Sequence, residues 1–201
     1  MSTELTVALI SSAFTAVIGP IAVHYFKERL AKNKKKDILK ESLLTNTLVS
    51  NKLEEVKDQF KADRVWLTQF HNGGNFYPSG KSIQKFSMFY EVVSSNADSI
   101  QQNFQNIPVS LFSKSINHIL ENNVIAIPDF KDEAIATYGL KYIAEESGCR
   151  SGYLFAIKTI DNKFVGMLGI DYTKKKTILT EEDLNIILVE ASSIGGVLNS
   201  K

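Results

Sequence analysis

An uncharged apolar run near the N-terminus constrains this chain more than any other feature of its sequence. Residues 5–26 read LTVALISSAFTAVIGPIAVHYF and contain no Asp, Glu, Lys or Arg. With a rise of about 1.5 Å per residue, a helix of this length reaches roughly 33 Å, enough to cross a hydrocarbon core of about 30 Å. Gly19 and Pro20 are compatible with a span, because membrane helices tolerate a kink. The run therefore predicts a transmembrane helix over residues 5–26, after a tail of residues 1–4.

The charges around this run predict its orientation. Glu4 is the only charged side chain before it, whereas the basic residues follow it: Lys27, Arg29, Lys32, Lys34, Lys35 and Lys36. A secretory signal peptide has the reverse order, with positive charge first and a shorter apolar region. The positive-inside rule places the N-terminus outside and everything after Lys27 in the cytoplasm. The alternative is a helix buried in a soluble core or in a protein–protein groove.

The basic segment does not indicate a nucleic-acid partner. The chain has a formal net charge of only +1, and no aromatic residues alternate with the lysines. We interpret the segment as a topology signal with added attraction for anionic lipid headgroups. A single cysteine, Cys149, excludes an internal disulfide and fits a reducing compartment.

A connecting helix is predicted between the membrane and a folded domain. Residues 38–60 contain no Gly or Pro. Their apolar stripe has alternating spacings of four and three, as in a helix seam, and consists of Val49, Leu53, Val56 and Phe60, continued upstream by Leu39, Leu43 and Asn46. Two interpretations remain open: the stripe packs on its own domain, or it forms the seam of a parallel homodimer. Residues 27–61 thus form a basic juxtamembrane segment and connecting helix.

Residues 62–201 have the pattern of one compact α+β domain. Short apolar runs parted by turns predict strands over 64–70, 85–93, 124–127, 152–160 and 163–173, the last two joined at Asp161–Asn162. Helical periodicity predicts helices over 110–121 and 133–147, and a final helix capped by Thr180 and Asp183. Long alternating strand–helix units are missing. We therefore expect an antiparallel sheet of five to six strands flanked by helices.

The stretch HNGGNFYPSGKS, residues 71–82, ends like a phosphate-binding loop. Such a loop needs a glycine five positions before Gly80, where this chain has Asn75. The residues that follow Ser82 are aromatic and β-branched, typical of a strand rather than of the required helix. The sequence therefore does not favour a nucleotide hydrolase.

Several motifs in order resemble a GAF domain over about residues 62–200. The C-terminal half carries Gly-Cys-Arg-Ser at 148–151, Val-Gly-Met-Leu at 165–168 and Thr-Glu-Glu-Asp-Leu at 180–184. The N-terminal half carries Ala-Asp-Arg at 62–64 and Ile-Pro-Asp at 127–129. The resemblance implies a sensory or regulatory module that holds a small molecule between its sheet and a lid, or that dimerises.

By this resemblance, residues 71–82 connect the first two strands at the mouth of the ligand space. His71 and Asn72 are then candidates to hydrogen-bond a ligand, and Lys81 is a candidate for a charge near it. The alternative is an ordinary turn in which Asn72 bonds its own backbone and Lys81 is solvated.

Four further ligand-binding candidates follow from the same resemblance: Asp129, Tyr138, Arg150 and Ser151. Asp129 ends a strand where pocket residues of this fold lie, although Pro-Asp is also a common turn pair. Arg150 and Ser151 lead into a central strand and are suited to an anionic group, or serve only the architecture. Tyr138, on a predicted lid helix, faces either ligand or core.

The resemblance does not identify a cofactor. Asn162-Lys163-Phe164 only begins the cyclic-nucleotide signature of the family, and Cys149 lies at a strand start rather than on a lid helix beside a histidine, as in bilin-binding members. The reductases of the family need cooperating cysteines. The histidines His24, His71 and His118 lack metal-site spacing.

The sequence thus predicts a membrane-anchored cytoplasmic GAF-like module that binds a small molecule or a partner protein without catalysis, as a homodimer. A structural or recruiting protein without a ligand is the main alternative. An enzyme built on Cys149 or His71 is a third class.

Overall fold

The computed structural model describes residues 16, 18–33 and 38–199 and divides into two compact units, Met1–Leu44 and Thr45–Lys201. The first unit contains helix α1 (Gly19–Asn33) and the start of helix α2 (Ile38–Phe60). Most of the predicted membrane span over residues 5–26 lies outside the described residues. Within the described ranges, none of the helices combines the length and the apolar character needed to cross a bilayer.

The second unit contains a six-stranded antiparallel sheet with helices on both faces. After α2 the elements are β1 (Arg64–Asn75), β2 (Ser82–Val93), β3 (Ile107–Pro108), α3 (Ser113–Asn122), β4 (Val124–Ile127), α4 (Lys141–Glu146), β5 (Ser151–Lys158), β6 (Phe164–Tyr172) and α5 (Glu181–Leu198). The strand order is β3-β2-β1-β6-β5-β4, and every neighbouring pair is antiparallel. This confirms the predicted antiparallel α+β sheet, with six strands.

Alternation along the strands divides the core into two layers. In β5, Tyr153 and Phe155 pack towards α2 and α5, whereas Leu154 packs towards α3 and α4 on the opposite face. Both faces of β5 are buried because the strand lies inside the sheet. A strand covered on both sides needs a nearly continuous apolar run, which is how residues 153–157 read.

The apolar stripe of α2 packs on its own domain. Val49, Leu53, Val56 and Phe60 are buried among side chains of β1, β5, β6 and α5. At these four positions the interpretation as a dimer seam is wrong, because the domain core already covers them. Leu39 and Leu43 upstream are 69% and 56% exposed, and the homodimer itself stays a prediction. A heptad-like spacing reports only that one helix face is buried, and a sheet face satisfies that requirement as well as a second helix does.

The hairpin between β1 and β2 is longer than the sequence predicted. The strand predicted over 64–70 continues to Asn75 as β1, so that His71 pairs with Lys85 and Asn72 with Gln84. The connection comes later, where the Phe76 N–H donates to Lys81 O and the Gly80 N–H donates to Phe76 O. An irregularity in the register between Asn72 and Asn75 accommodates the glycines without ending the strand.

Two other local predictions were wrong. The helix expected over 133–147 is reduced to Lys141–Glu146, because Tyr138 and Gly139 have left-handed φ angles of 53° and 85°. The hairpin at Asp161–Asn162 closes through a bond from Thr159 N–H to Lys163 O, so three residues, and not two, form its loop. Asn162 takes the left-handed position at φ 60°.

Helix α5 begins as the sequence predicted. The Thr180 hydroxyl accepts from the Asp183 N–H at 3.2 Å, and the Asp183 carboxylate accepts from the Thr180 N–H at 2.8 Å. This reciprocal capping box satisfies two backbone N–H groups that the helix cannot pair internally.

Asp63 ties the start of β1 to the loop that follows β6. Its buried carboxylate accepts from the Thr173 N–H at 2.7 Å, the Lys174 N–H at 3.2 Å and Asn96 Nδ2 at 3.2 Å. Burial alone raises the pKa of Asp63, but these hydrogen bonds outweigh it and lower the pKa below its ordinary value of 3.8. The carboxylate therefore stabilises the fold above that value, and the contribution is lost as pH falls through the lowered pKa.

We expect Asp63→Asn to lower the free energy of unfolding by about 1–3 kcal/mol at neutral pH, because hydrogen bonds to a charged acceptor are lost or weakened. The difference from wild type should shrink as pH falls through the lowered pKa of Asp63. Urea unfolding of both proteins at a series of pH values from 7 downwards measures it. Asp132→Asn is the control, since Asp132 is exposed and its carboxylate accepts from Ala134 N–H. A difference that stayed constant with pH would assign the effect to packing instead of charge.

Candidate functional site

A small apolar cavity lies between the sheet and the segments that carry α3 and α4. Its volume is about 70 Å³. Five aromatic side chains line it: Trp66, Phe86, Phe104, Phe112 and Phe130. Aliphatic side chains and methionines complete most of the wall, including Met88, Ile100, Ile116, Leu140, Ile143, Leu154 and Met167. A concave apolar space with a few polar groups is the usual form of a small-molecule site.

Glycines on the central strands make room for this cavity. Gly169 lies opposite Trp66 in the β1–β6 ladder, and a Cβ at Gly169 would lie 2.0 Å from Cε2 of the indole. A Cβ at Gly152 would lie 3.1 Å from the Phe130 ring and 3.4 Å from Asp171 Oδ1. Any larger residue at Gly169 therefore displaces the indole from the cavity floor.

A buried ion pair forms the polar end of the floor. Arg64 and Asp171 lie opposite each other in the β1–β6 ladder. Arg64 Nε donates to Asp171 Oδ2 at 2.8 Å, and Nη2 lies 2.7 Å from the same oxygen as an ionic contact without a hydrogen bond. Trp66 Nε1 also donates to Oδ2, at 3.1 Å. The aromatic floor and the ion pair therefore form one connected unit.

Asp171 is the only charged side chain in the wall of this cavity among the residues that the structure describes. Burial raises the pKa of Asp171, while the Arg64 guanidinium and the Trp66 N–H stabilise its ionised form. The Arg64 side chain is fully buried beneath the floor, whereas the Asp171 side chain keeps 10% of its surface accessible. The cavity thus presents the negative partner of the pair.

Cys149 also lines the cavity, close to this carboxylate. Its Sγ donates to Ser151 O at 3.1 Å. Burial, with the nearby Asp171 charge, raises the pKa of the Cys149 thiol far above its ordinary range. The thiol is therefore protonated at neutral pH, which does not favour a nucleophile.

The carboxylate of Glu91 on β2 connects the floor of the cavity to residues 98–104, which form part of its cover. Glu91 Oε1 lies 4.0 Å from Arg64 Nε and accepts from the Ile100 N–H at 2.9 Å. Glu91 Oε2 accepts from the Gln101 N–H at 3.2 Å and from the Ser99 hydroxyl. Arg64 Nη1 donates to Asp98 O at 2.9 Å. Residues 98–104, which contribute two cavity side chains, are thus held by the same charges that form the floor.

Two surface clefts lie next to the cavity. One shares Ile100, Phe104, Phe112, Ile143 and Ser147 with the cavity wall. The other shares Phe130, Ala144 and Cys149 with it. The cavity and the two clefts therefore have wall residues in common.

The three candidates of residues 71–82 lie on the long hairpin, not in the cavity wall. His71 Nε2 lies 2.9 Å from Ser87 Oγ across the β1–β2 ladder. Asn72 Oδ1 accepts from Ser82 Oγ and Gln84 Nε2, and Lys81 is exposed near the tip.

The other four candidates surround the cavity from outside. Asp129 and Arg150 share the second cleft, where Lys176 pairs with Asp129. Ser151 is buried, and its Oγ accepts from the Thr177 N–H at 2.9 Å. The Tyr138 ring lies 4.1 Å from that of His118. None of the seven candidates lines the cavity, so their contact with a ligand stays a prediction.

Sequence reasoning missed Trp66, Arg64 and Asp171. A signal was present in the segment GMLGIDYT, which places an acidic residue in an apolar strand with a glycine two residues before it. A buried carboxylate requires a partner, but only the register of β1 against β6 identifies that partner as Arg64.

The fold is that of a GAF domain. No protein-family model matches the chain, and no curated protein sequence matches it. Solved structures match it instead. A far-red cyanobacteriochrome photoreceptor is 13% identical with a TM-score of 0.61, and the match covers 86% of this chain and 95% of the photoreceptor chain. The blue-light absorbing form of the PixJ GAF domain from Thermosynechococcus elongatus is 14% identical with a TM-score of 0.60, covering 78% and 86% of the two chains.

A third similar structure contains a ligand. It is a far-red absorbing dark state with bound biliverdin IXa, 14% identical with a TM-score of 0.56, and the match covers 73% of this chain and 84% of that one. At identities this low, the structural similarity establishes the shared fold and nothing more. The residues of the cavity in the present chain must be judged on their own chemistry.

We expect Gly169→Ala to expel the Trp66 ring from the cavity floor, because the new methyl group would overlap the indole. The cost should be about 1–3 kcal/mol of unfolding free energy. Trp66 is the only tryptophan of the chain, so its emission should shift to the red as the ring becomes solvated. Urea unfolding followed by fluorescence measures both effects.

Gly196→Ala is the matched control for this prediction. A Cβ at Gly196 meets no atom within 4 Å, and its helical position favours alanine over glycine by about 0.5–1 kcal/mol. This variant should keep wild-type emission and at least wild-type stability. Wild-type emission in Gly169→Ala would contradict the role of Gly169.

Proposed function

We propose that this protein is a sensory or regulatory module that binds a small molecule in the cavity over its central strands and does not transform it. The observation that carries this proposal is an aromatic cavity in whose wall, among the described residues, Asp171 is the only charged side chain. The GAF-like fold supports it, because similar structures of this fold include one with a bound chromophore.

The chemistry of the wall supports binding rather than catalysis. The Cys149 thiol has a raised pKa, and Asp171 is already paired with Arg64 and Trp66. A nucleophile needs a nearby base to activate it, and a general base needs a free, titrating acceptor. Both groups are instead held in structural contacts.

The same contacts provide a route by which binding changes the surface. A ligand at Asp171 alters the charge that Arg64 experiences, and Arg64 holds Asp98 O. Residues 98–104 therefore respond to the state of the cavity floor. A segment held by polar contacts and covering a cavity is a suitable two-state element.

We also propose that residues 5–26 anchor the protein in a membrane, with the N-terminus outside and the GAF-like domain in the cytoplasm. The length of the uncharged run and the basic residues after it support this arrangement. The structural change caused by ligand binding then passes from the domain along the chain to the membrane, or to another protein.

The competing function is a recruiting protein that binds a partner or a second copy and no ligand. A specific observation favours an interface on α5. Ile186 and Val189 are 37% and 66% exposed on one face of this helix. Glu190 is the only charged residue of α5 after Asp183. Glu190 itself pairs with Lys52 of α2 at 2.8 Å. We propose this face as a homodimer surface that replaces the predicted seam.

Thermal unfolding against a panel of metabolites and nucleotides tests the sensory function. A ligand at about 100 times its Kd should stabilise the protein by about 2.7 kcal/mol, which raises Tm by several degrees. The emission of Trp66 should change with the same compounds, because this ring lines the cavity. If no compound changes either signal, the recruiting function becomes the better account.

We expect Val189→Glu to shift the protein from dimer to monomer, because the change places a charge in the centre of an apolar interface. Analytical ultracentrifugation over a range of protein concentrations measures the equilibrium. Ile160→Glu is the control, since Ile160 is 93% exposed on the β5–β6 loop. Equal association of wild type and Val189→Glu would remove α5 as the interface.

A further inference from the structure

The charged side chains at the floor of the cavity predict the charge of its ligand. This inference rests on the proposed function, because it concerns the ligand of that same cavity. Two carboxylates contact one guanidinium in its floor: Asp171 at 2.7 Å and Glu91 at 4.0 Å from Arg64. Every hydrogen bond of the two carboxylates is one that they accept, as ionised groups do. The cluster therefore has one negative charge in excess.

Within this cluster, the carboxylate of Asp171 is the charged group that faces the ligand side. Asp171 lines the cavity, whereas the Arg64 side chain is fully buried and does not. The basic side chains of the neighbouring cleft, Lys131, Arg150 and Lys176, lie outside the cavity wall. An anionic ligand would meet a carboxylate in a poorly solvated space without a compensating cation. The electrostatics therefore favour a cation.

Asp171 has acceptor capacity left for such a ligand. Arg64 Nε and Trp66 Nε1 both donate to Oδ2. Oδ1 lies 3.4 Å from the position that a Cβ on Gly152 would take, and neither of these two donors uses it. An ionised carboxylate accepts at about four lone-pair positions. Oδ1 therefore has a free lone-pair position for an N–H donor of a ligand.

The remaining wall fits the body of an organic cation. Five aromatic rings line the space, and the faces of such rings attract ammonium groups. The volume of about 70 Å³ is less than half of the roughly 150 Å³ of an engineered cavity that binds benzene. A tetrapyrrole such as biliverdin is several times too large for it. The ligand must therefore be compact.

We propose that the cavity binds a small protonated amine with a short apolar body, its ammonium group at Asp171 Oδ1 and its alkyl part among the aromatic rings. The recognition combines one ionic hydrogen bond with apolar burial. Binding neutralises the floor and changes the charge balance at Arg64, which holds the covering segment 98–104.

Three small compounds of similar size test the charge preference: ethylammonium, ethanol and acetate. Each is titrated at fixed ionic strength into the purified full-length chain while Trp66 emission is recorded. We expect the amine to bind at least tenfold more tightly than the alcohol and the carboxylate. Equal affinities, or tighter binding of the alcohol or carboxylate, would overturn the ligand class while leaving the cavity as a binding site.

Two variants separate the ligand class from the proposed function itself. Ala144→Leu places a larger side chain in the cavity wall and should abolish the emission change with every compound while a cooperative thermal transition is retained. Glu91→Gln removes the excess charge without entering the cavity and keeps Asp171 paired with Arg64. Because Glu91 also accepts hydrogen bonds from Ile100 N–H and Gln101 N–H, both affinities can change in this variant, and the readout is their ratio: the preference for the amine over the alcohol should fall about fivefold.

The outcomes distinguish the two ideas. If wild type gives no emission change with any of the three compounds, or if the change persists in Ala144→Leu, the cavity is not the binding site and the proposed function fails with it. If the amine preference survives Glu91→Gln in full, the excess charge does not select the ligand and the inference fails alone.

Discussion

The ion pair between Arg64 and Asp171 is the interaction on which the rest of the domain depends. It lies at facing positions of the two central strands, and both partners are almost completely buried. Removing one partner of such a pair costs about 3–5 kcal/mol, because the other charge is left without compensation. The pair therefore holds β1 against β6 in one register, and that register decides which side chains face the cavity.

The surroundings of the pair show why a buried charge is tolerated here. Trp66 N–H, Asp98 O and the carboxylate of Glu91 contact the two groups, so that each charge has polar partners besides the other. Gly169 leaves the space that the indole needs in order to reach Asp171. Floor and cover are coupled because Glu91 also binds the backbone of the segment over the cavity. A change in the charges of the floor therefore acts on the contacts that hold residues 98–104.

Local patterns predicted the elements better than their ends. The bounds of α2 and the capping of α5 followed from helical periodicity and from Thr180 and Asp183. Where the pattern was weaker, long-range contacts decided the outcome. The glycines after His71 suggested a turn, but the ladder with β2 carries the strand through to Asn75. Residues 133–140 have helical composition, yet Gly139 and its left-handed neighbour break the helix.

The sequence by itself determined the antiparallel α+β domain, because hydrophobic period and turn residues act over a few neighbouring positions. It also showed that one face of α2 is buried, but the sheet, and not a second helix, turned out to cover that face. Only the tertiary structure brought Asp171 to Arg64 and Trp66, since more than a hundred residues separate it from both along the chain. Pairing between distant strands depends on packing across the whole sheet, and a site built from such pairs leaves little trace in local sequence.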